Sequence, residues 1–231
     1  MNHRSTAAAA MAAAFLLAAT GLPAASALFD KGTALFMQNK PAEARPLLEE
    51  SLADDPSNET VYLYLGIVYQ QLGDTDRAIT ILKRGLNIAT LHKDLFLYNI
   101  GNNFFGRGEF TFAEESYTAA VTANRSMAEG YLNRANSRLR LEKWEPALAD
   151  YLLFLQLAPK DPQRPQVEAV VRLLQDHVAK LAALTQAEAD RQKALLNEVL
   201  NALNNASDDA QNVRVENLQV SDNVEDVDIE D

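Results

Sequence analysis

Residues 64–74 read Tyr-Leu-Gly-Ile-Val-Tyr-Gln-Gln-Leu-Gly-Asp, an apolar run around one glycine that ends in a Gly-Asp turn signal. Small residues recur at a nearly constant spacing before and after this glycine, at Gly32, Gly66, Gly101 and Ala135. Three further series keep the same spacing: Ala44, Ala78, Ala113 and Ala147; Leu48, Leu82, Tyr117 and Tyr151; and Ser51, Gly85, Ala120 and the exceptional Phe154. A fixed period of this length predicts stacked copies of one supersecondary unit.

Each copy is predicted to form two helices joined by a short turn, such as residues 71–74 or 106–109. Small residues at matched heights let the two helices approach closely, and the large series then fills the space between units. A single pair cannot bury its apolar face alone, so neighbouring pairs must stack. The sequence therefore predicts an all-α fold.

This pattern resembles the tetratricopeptide repeat (TPR) family. The best local matches are residues 64–69 followed by 72–74, and residues 131–135 followed by 144–151. The resemblance implies a right-handed superhelix of antiparallel helix pairs, in which the first helix of each pair lines a concave groove. It extends over four units, which we place at 28–58, 59–93, 94–127 and 128–161.

The segment 1–27 is typical of a secretory signal peptide. A cationic start at His3 and Arg4 precedes an apolar run at 7–19, and Ala25-Ser26-Ala27 has the small-x-small pattern of a cleavage site. We expect cleavage between Ala27 and Leu28 and a periplasmic or secreted mature protein. The alternative, an uncleaved anchor, would tie the protein to a membrane.

After the repeats, residues 162–206 keep a helical period of apolar residues and are predicted to form capping and amphipathic helices. The spacing of Thr185 and Glu188 indicates a new helix start or a bend, and Asn204-Asn205 a helix end. Residues 207–231 hold nine acidic residues against one arginine, a net charge of −8. Such a charged segment, poor in large apolar residues, is predicted to be a disordered tail.

Composition argues against several kinds of chemistry. The chain has no cysteine, so disulfides and thiolate-ligated metals are excluded. With 32 acidic and 21 basic residues, its net charge of −11 argues against nucleic-acid binding. Apart from His3, the histidines are His92 and His177, whose neighbours form no metal-binding or catalytic pattern. We therefore expect no cofactor, no metal site and no enzymatic activity.

A polar groove is predicted on the first helices of the third and fourth units. Helical spacing gathers Leu95, Tyr98, Asn102 and Phe105 on one face, and Asn133, Asn136 and Arg140 on the next. Asparagine both donates and accepts hydrogen bonds, which suits the main chain of an extended peptide, and arginine pairs with a carboxylate. The predicted partner-binding residues are Tyr98, Asn102, Phe105, Asn133, Asn136 and Arg140. We expect Asn102, Asn133 and Arg140 to face solvent, so that their replacement by alanine barely changes thermal stability.

One branch of the TPR family holds acidic C-terminal peptides in a two-carboxylate clamp, and Asn102 and Asn133 match two of its asparagines. The clamp's lysine, one turn before Asn102, is replaced by Leu97, and the basic residues of a further repeat are absent. The resemblance therefore supports a generic peptide groove rather than that clamp. An ordinary solvated concave face is the alternative.

These observations predict an exported adaptor that binds a partner protein through an extended peptide and takes part in cell-envelope assembly. Two other functions stay open. Residues 186–204 carry an apolar stripe that would make the protein an oligomeric scaffold by self-association. Alternatively, the repeats would form a shell for a small hydrophobic ligand, lined by Leu95, Tyr98, Phe105, Leu132 and Leu139. The acidic tail would either keep the chain in solution or fold back onto the groove.

Overall fold

The computed structural model describes residues 27–221 and the side chains through Ala202. This part of the chain contains helices and no strand, which confirms the predicted all-α class. Most of the predicted signal segment (residues 1–26) and the end of the predicted tail (222–231) lie outside the described residues. The helices are α1 (Ala27–Met37), α2 (Pro41–Asp54), α3 (Glu59–Gln71), α4 (Thr75–Ile88), α5 (Lys93–Gly106), α6 (Phe110–Ala123), α7 (Ala128–Arg140), α8 (Trp144–Leu157) and α9 (Arg164–Ser221).

Helices α1 to α8 form four pairs, each folded back on itself by a short turn. The turns share one backbone feature, a residue in the left-handed region at Asn39, Gly73, Gly108 and Glu142, with φ between 58° and 79°. Glycine adopts this conformation without the steric cost of a Cβ atom. The first helices of successive pairs also contact one another, α1 with α3, α3 with α5 and α5 with α7. They thus form a continuous layer.

The small-residue series allows close helix packing, as the sequence predicts. A Cβ atom added at Gly66 would lie 2.4 Å from the Leu82 side chain, and one at Gly101 would lie 2.6 Å from the Tyr117 ring. Gly85 plays the same part between pairs, because its Cβ atom would lie 2.4 Å from the Phe96 ring of the following pair. These distances are shorter than a Cβ atom and a neighbouring side-chain atom can approach without a shift, so the repeated glycines set the spacing of the helices.

The first turns of α9 cover the last helix pair. Val167, Val171 and Leu174 are buried against Phe154 and other core residues of α7 and α8. Trp144 packs partly buried against the same cluster. The apolar period after the repeats therefore continues the core of the repeat unit.

Helix α9 corrects the predicted end of the chain. It runs without interruption from Arg164 to Ser221, so the new helix start predicted at 185–188 and the helix end predicted at 204–205 are both wrong, and residues 207–221 of the predicted disordered tail are helical. Thr185 does not cap a new helix, because its Oγ1 donates to the Leu181 carbonyl at 3.0 Å. No glycine or proline follows Pro165 to break the helix.

The chain divides into two compact units, at Gln175. In the second unit, α9 exposes an apolar stripe at Leu195, Leu196, Val199 and Leu200, with 48–61% of each residue accessible. Among the residues described, no helix combines the length and the hydropathy needed to span a bilayer.

Candidate functional site

The predicted groove residues lie on α5 and α7. Their faces meet because α5 and α7 are first helices of neighbouring pairs and contact each other. We call the six predicted residues the α5–α7 site: Tyr98, Asn102, Phe105, Asn133, Asn136 and Arg140. Side-chain contacts arrange them in three groups.

A hydrogen-bonded network joins the first group across the two helices. The Asn133 Nδ2 atom donates to the Tyr98 hydroxyl and to Asn102 Oδ1, both at 3.0 Å. Tyr117, on α6, donates its hydroxyl to the same Asn102 oxygen at 2.8 Å. The two tyrosines are buried and the two asparagines are half-buried. The network therefore links α5, α6 and α7 at the edge of the core.

The second group repeats part of this network one unit later. The Tyr151 hydroxyl, on α8, donates to Asn136 Oδ1 at 2.7 Å. Tyr151 and Asn136 follow Tyr117 and Asn102 by the same interval in the sequence, one repeat. The same pair of residue types is thus placed by the same repeat geometry in two successive units.

The third group is aromatic and cationic. The Arg140 guanidinium lies over the Phe110 ring, 5.8 Å from its centroid, and Phe110 meets Phe105 edge to face at 5.3 Å. Arg140 is exposed, and no carboxylate of the described residues lies within 4 Å of it. A cation held over a ring in this way keeps its charge available for an anionic partner.

Burial keeps the tyrosines of the site neutral. It raises the pKa of Tyr98 to about 12 against the opposing effect of the hydrogen bond with Asn102, and it raises the pKa of Tyr151 to about 12 against the nearby charge of Arg140. The pKa of Tyr117 is also raised well above its ordinary value by burial. At neutral pH all three hydroxyls are therefore uncharged; Tyr117 and Tyr151 each donate to an asparagine, and Tyr98 accepts from Asn133.

The expectation that Asn102 and Asn133 face solvent without structural consequence is wrong. Both are half-buried, and both satisfy polar atoms of buried tyrosines. Arg140 is exposed as expected. The position of the asparagines follows from their repeat register, because they lie where the first helix of one pair packs against the next pair.

Sequence reasoning missed Phe110 and the site role of Tyr117 and Tyr151. A signal for the tyrosines was present in the repeat itself. The large series changes from leucine in the first two units to tyrosine in the last two, and the position after the small residue changes with it, from Thr33 and Ile67 to Asn102 and Asn136. Coupled changes of this kind indicate a polar contact. Phe110 carries no comparable signal.

The described residues give no support for a metal site or for a small-molecule shell. Their His, Asp and Glu side chains form no group of three that could hold a metal. The five residues proposed to line a small-molecule shell are all engaged in packing within the core clusters.

An ion-pair cluster positions α7 behind the site. Asp150 is almost fully buried and accepts two hydrogen bonds from Arg134, at 2.7 and 2.8 Å, and one from Arg138 at 2.7 Å. Arg138 also donates to Glu114 at 2.9 Å, and Lys143 donates to the same carboxylate. These contacts connect α6, α7 and α8, so they fix the helix that carries the three C-terminal residues of the site.

Comparison with known proteins agrees with this architecture. One tetratricopeptide repeat model matches residues 35–94, and a second matches residues 2–59 and 98–162. A DnaJ homolog subfamily C member 7 homolog of Schizosaccharomyces pombe is 29% identical over 57% of this chain, which covers 31% of that relative. Human RNA polymerase II-associated protein 3 is 29% identical over 49% of this chain. The chain covers only 17% of that second protein's length.

A solved structure shares the fold. The crystal structure of MamA aligns with a TM-score of 0.56 at 21% identity, covering 66% of this chain and 85% of that one. At this identity the likeness concerns the fold alone. The second repeat model alone matches more than half of the chain, and four stacked helix pairs carry the repeat pattern. The chain belongs to the tetratricopeptide repeat family.

Proposed function

We propose that this protein is an exported, non-enzymatic adaptor that binds an extended segment of a partner protein at the α5–α7 site, in assembly of the cell envelope. TPR superhelices offer extended binding surfaces, and the family supports a role in protein–protein interaction. The observation that carries the proposal is the combination of half-buried asparagines and an arginine without a carboxylate partner on one surface.

The chemistry of an extended peptide fits these groups. Its main chain has carbonyl oxygens and N–H groups that no regular secondary structure satisfies, so a binding surface must supply partners. Asn102 and Asn136 have side-chain amides at repeat-equivalent positions, and Arg140 adds one positive charge. Phe105 and Phe110 give apolar area for a side chain of the partner.

The exported part of the proposal rests on the sequence of the segment 1–27. Expression of the full chain followed by N-terminal sequencing of the mature protein tests it. A mature chain that begins at Leu28 is the expected result. A chain that keeps its first residues would overturn the predicted cleavage after Ala27, favour the uncleaved anchor and leave the binding claim untouched.

Chemical cross-linking in native cell-envelope extract tests the binding role. The full chain is compared with a variant that replaces Asn102, Asn136 and Arg140 by alanine, and bound proteins are identified by mass spectrometry. Specific proteins that are captured by the native chain and lost with the variant support the adaptor. Equal capture by both baits would contradict the assigned site.

An oligomeric scaffold is the second candidate, because α9 exposes its apolar stripe at Leu195, Leu196, Val199 and Leu200. The occupant of this stripe would be the same helix of a second copy. Light scattering on the full chain and on a Leu196→Glu, Leu200→Glu variant tests this. A mass that rises with concentration only in the native chain supports the scaffold, and monomers in both would exclude it.

A further inference from the structure

The two asparagine–tyrosine pairs orient their amide groups in the same way. Tyr117 donates to Asn102 Oδ1 and Tyr151 donates to Asn136 Oδ1, so each amide turns its oxygen toward a buried hydroxyl. The nitrogen of a planar amide lies on the opposite side from its oxygen. The Nδ2 atom of Asn136 makes no hydrogen bond to another described residue, although Asn136 is half-buried, whereas the Asn102 amide also acts on the Tyr98 hydroxyl.

Two contacts fix the direction of the Asn102 amide, and one contact, with Tyr151, fixes that of the Asn136 amide. In the earlier pair, Asn133 donates a second hydrogen bond to the Asn102 oxygen, which leaves no room for the reversed amide, since two N–H groups would then face each other. In the later pair, Tyr151 is only 2% exposed, so its hydroxyl proton has few acceptors other than Asn136 Oδ1.

Electrostatics around the later pair favour an anionic group. Arg140 follows Asn136 by one helical turn on the same face of α7. Its charge acts on Tyr151, whose pKa it lowers against the effect of burial. Glu129, which acts on Tyr98, is the acidic residue of α7 and lies at the other end of this helix. The C-terminal end of α7 therefore has an unpaired cation beside an amide donor.

We propose that Tyr151 is a positioning residue that turns the Asn136 amide into an outward hydrogen-bond donor, and that the site consequently selects an extended peptide with an acidic side chain beside Arg140. The Asn136 amide nitrogen and the Arg140 guanidinium together bind that carboxylate. This inference rests on the proposed function, because it requires that the site bind a peptide.

Selection from a display library of random dodecapeptides tests the proposal on the full chain. The native protein, Tyr151→Phe, Asn136→Asp and Arg140→Glu are each used as bait, and the affinity of the best native-selected peptide is then measured for all of them. Tyr62→Phe is the matched control, because its hydroxyl is likewise buried and donates to a main-chain oxygen, that of Pro56, outside the site.

The native chain and Tyr62→Phe are expected to enrich peptides with an acidic residue at a fixed position. Tyr151→Phe should lower the affinity about five- to tenfold, by the loss of one orienting hydrogen bond, while melting at the same temperature as the Tyr62→Phe control. Asn136→Asp keeps an acceptor for Tyr151 but replaces the donor with a negative charge. It should therefore lose the acidic preference, as should Arg140→Glu.

The outcomes distinguish a failure of peptide binding from a failure of the orienting role of Tyr151. If the native chain enriches no peptide, the proposed function fails and this inference fails with it. If it enriches peptides but Asn136→Asp keeps the acidic preference, or Tyr151→Phe binds as tightly as the control, the site binds peptides and the orienting role is wrong.

Discussion

The Tyr151 hydroxyl donates a 2.7 Å hydrogen bond to Asn136 Oδ1, and Tyr117 makes the same contact with Asn102 at 2.8 Å in the preceding repeat. Each hydroxyl comes from the second helix of a pair and each amide from the first. A residue pair that helps to hold the two helices together thus also sets which atoms the surface offers to a partner. Stability and binding at this site are coupled for that reason.

Stability is expected to fall at high pH because buried tyrosines resist ionisation. Burial raises the pKa of Tyr98 and Tyr151 to about 12, from an ordinary value near 10. A raised pKa in the folded state gives stability that is fully present below pH 10 and is lost as the pH rises through about 12. Urea unfolding measured at intervals from pH 8, below both pKa values, to pH 12 determines this loss.

The control for this prediction is the double variant Tyr98→Phe, Tyr151→Phe. Its free energy of unfolding should depend less steeply on pH above 10 than that of the native chain. Equal slopes for the two proteins would show that neither tyrosine is protected from ionisation by the fold.

Asp150→Ala should strongly destabilise the repeat unit. Asp150 is 1% exposed and binds Arg134 and Arg138, so its removal leaves the largely buried Arg134 without a carboxylate partner and Arg138 with Glu114 alone. We expect the free energy of unfolding to fall by about 3 kcal/mol. Asp76→Ala is the control, because the Asp76 side chain is 89% exposed in its pair with Arg107 and should cost less than about 1 kcal/mol. Similar losses in both variants would contradict a structural role for the buried cluster.

Gly101→Ala tests the close approach of paired helices. The new Cβ atom would lie 2.6 Å from the Tyr117 ring, so the ring or the helix must shift, and such overpacking costs about 1–3 kcal/mol. Gly106→Ala, at the end of the same helix, meets no atom within 4 Å and should leave stability unchanged or raise it by up to about 1 kcal/mol. Thermal unfolding compares the two, and a neutral Gly101→Ala would mean that the packing is looser than described.

Single alanine variants should separate structure from binding within the α5–α7 site. Asn133→Ala removes two hydrogen bonds and is expected to lower the free energy of unfolding by about 1–2 kcal/mol. Arg140→Ala, at an exposed residue over Phe110, should cost less than about 1 kcal/mol. Both should weaken binding of a selected peptide. A large loss of stability in Arg140→Ala would show that this residue belongs to the core.

The repeat pattern alone was enough to predict the helix pairs, because their packing depends on local, periodic contacts. Gly66 and Leu82 illustrate this. Because Gly66 has no Cβ atom, the Leu82 side chain can approach its backbone, and the two helices of the pair lie close together. The path of α9 was not predictable from its capping-box signal at Thr185, because a threonine hydroxyl bonds equally well to the preceding turn within a continuous helix.

The placement of the α5–α7 residues on two neighbouring helices was predictable, but their hydrogen bonds were not. Helical spacing places Asn102 and Asn133 on facing helices, but it does not show which polar groups reach them from the second helices. Tyr117 and Tyr151 belong to the large core series, and a position in that series predicts apolar packing but not the hydroxyl contacts with Asn102 and Asn136. A side chain that is apolar over most of its surface and polar at its tip serves both purposes.

Site-specific photo-cross-linking in cells tests the central claim most directly. The photoreactive residue p-benzoylphenylalanine replaces Phe105 in the α5–α7 site or, as the control, Phe112, which is 53% exposed on α6. The account predicts partner adducts from position 105 that disappear when Asn136 and Arg140 are replaced by alanine, and none from position 112. Adducts that form at position 112 and not at 105 would contradict it.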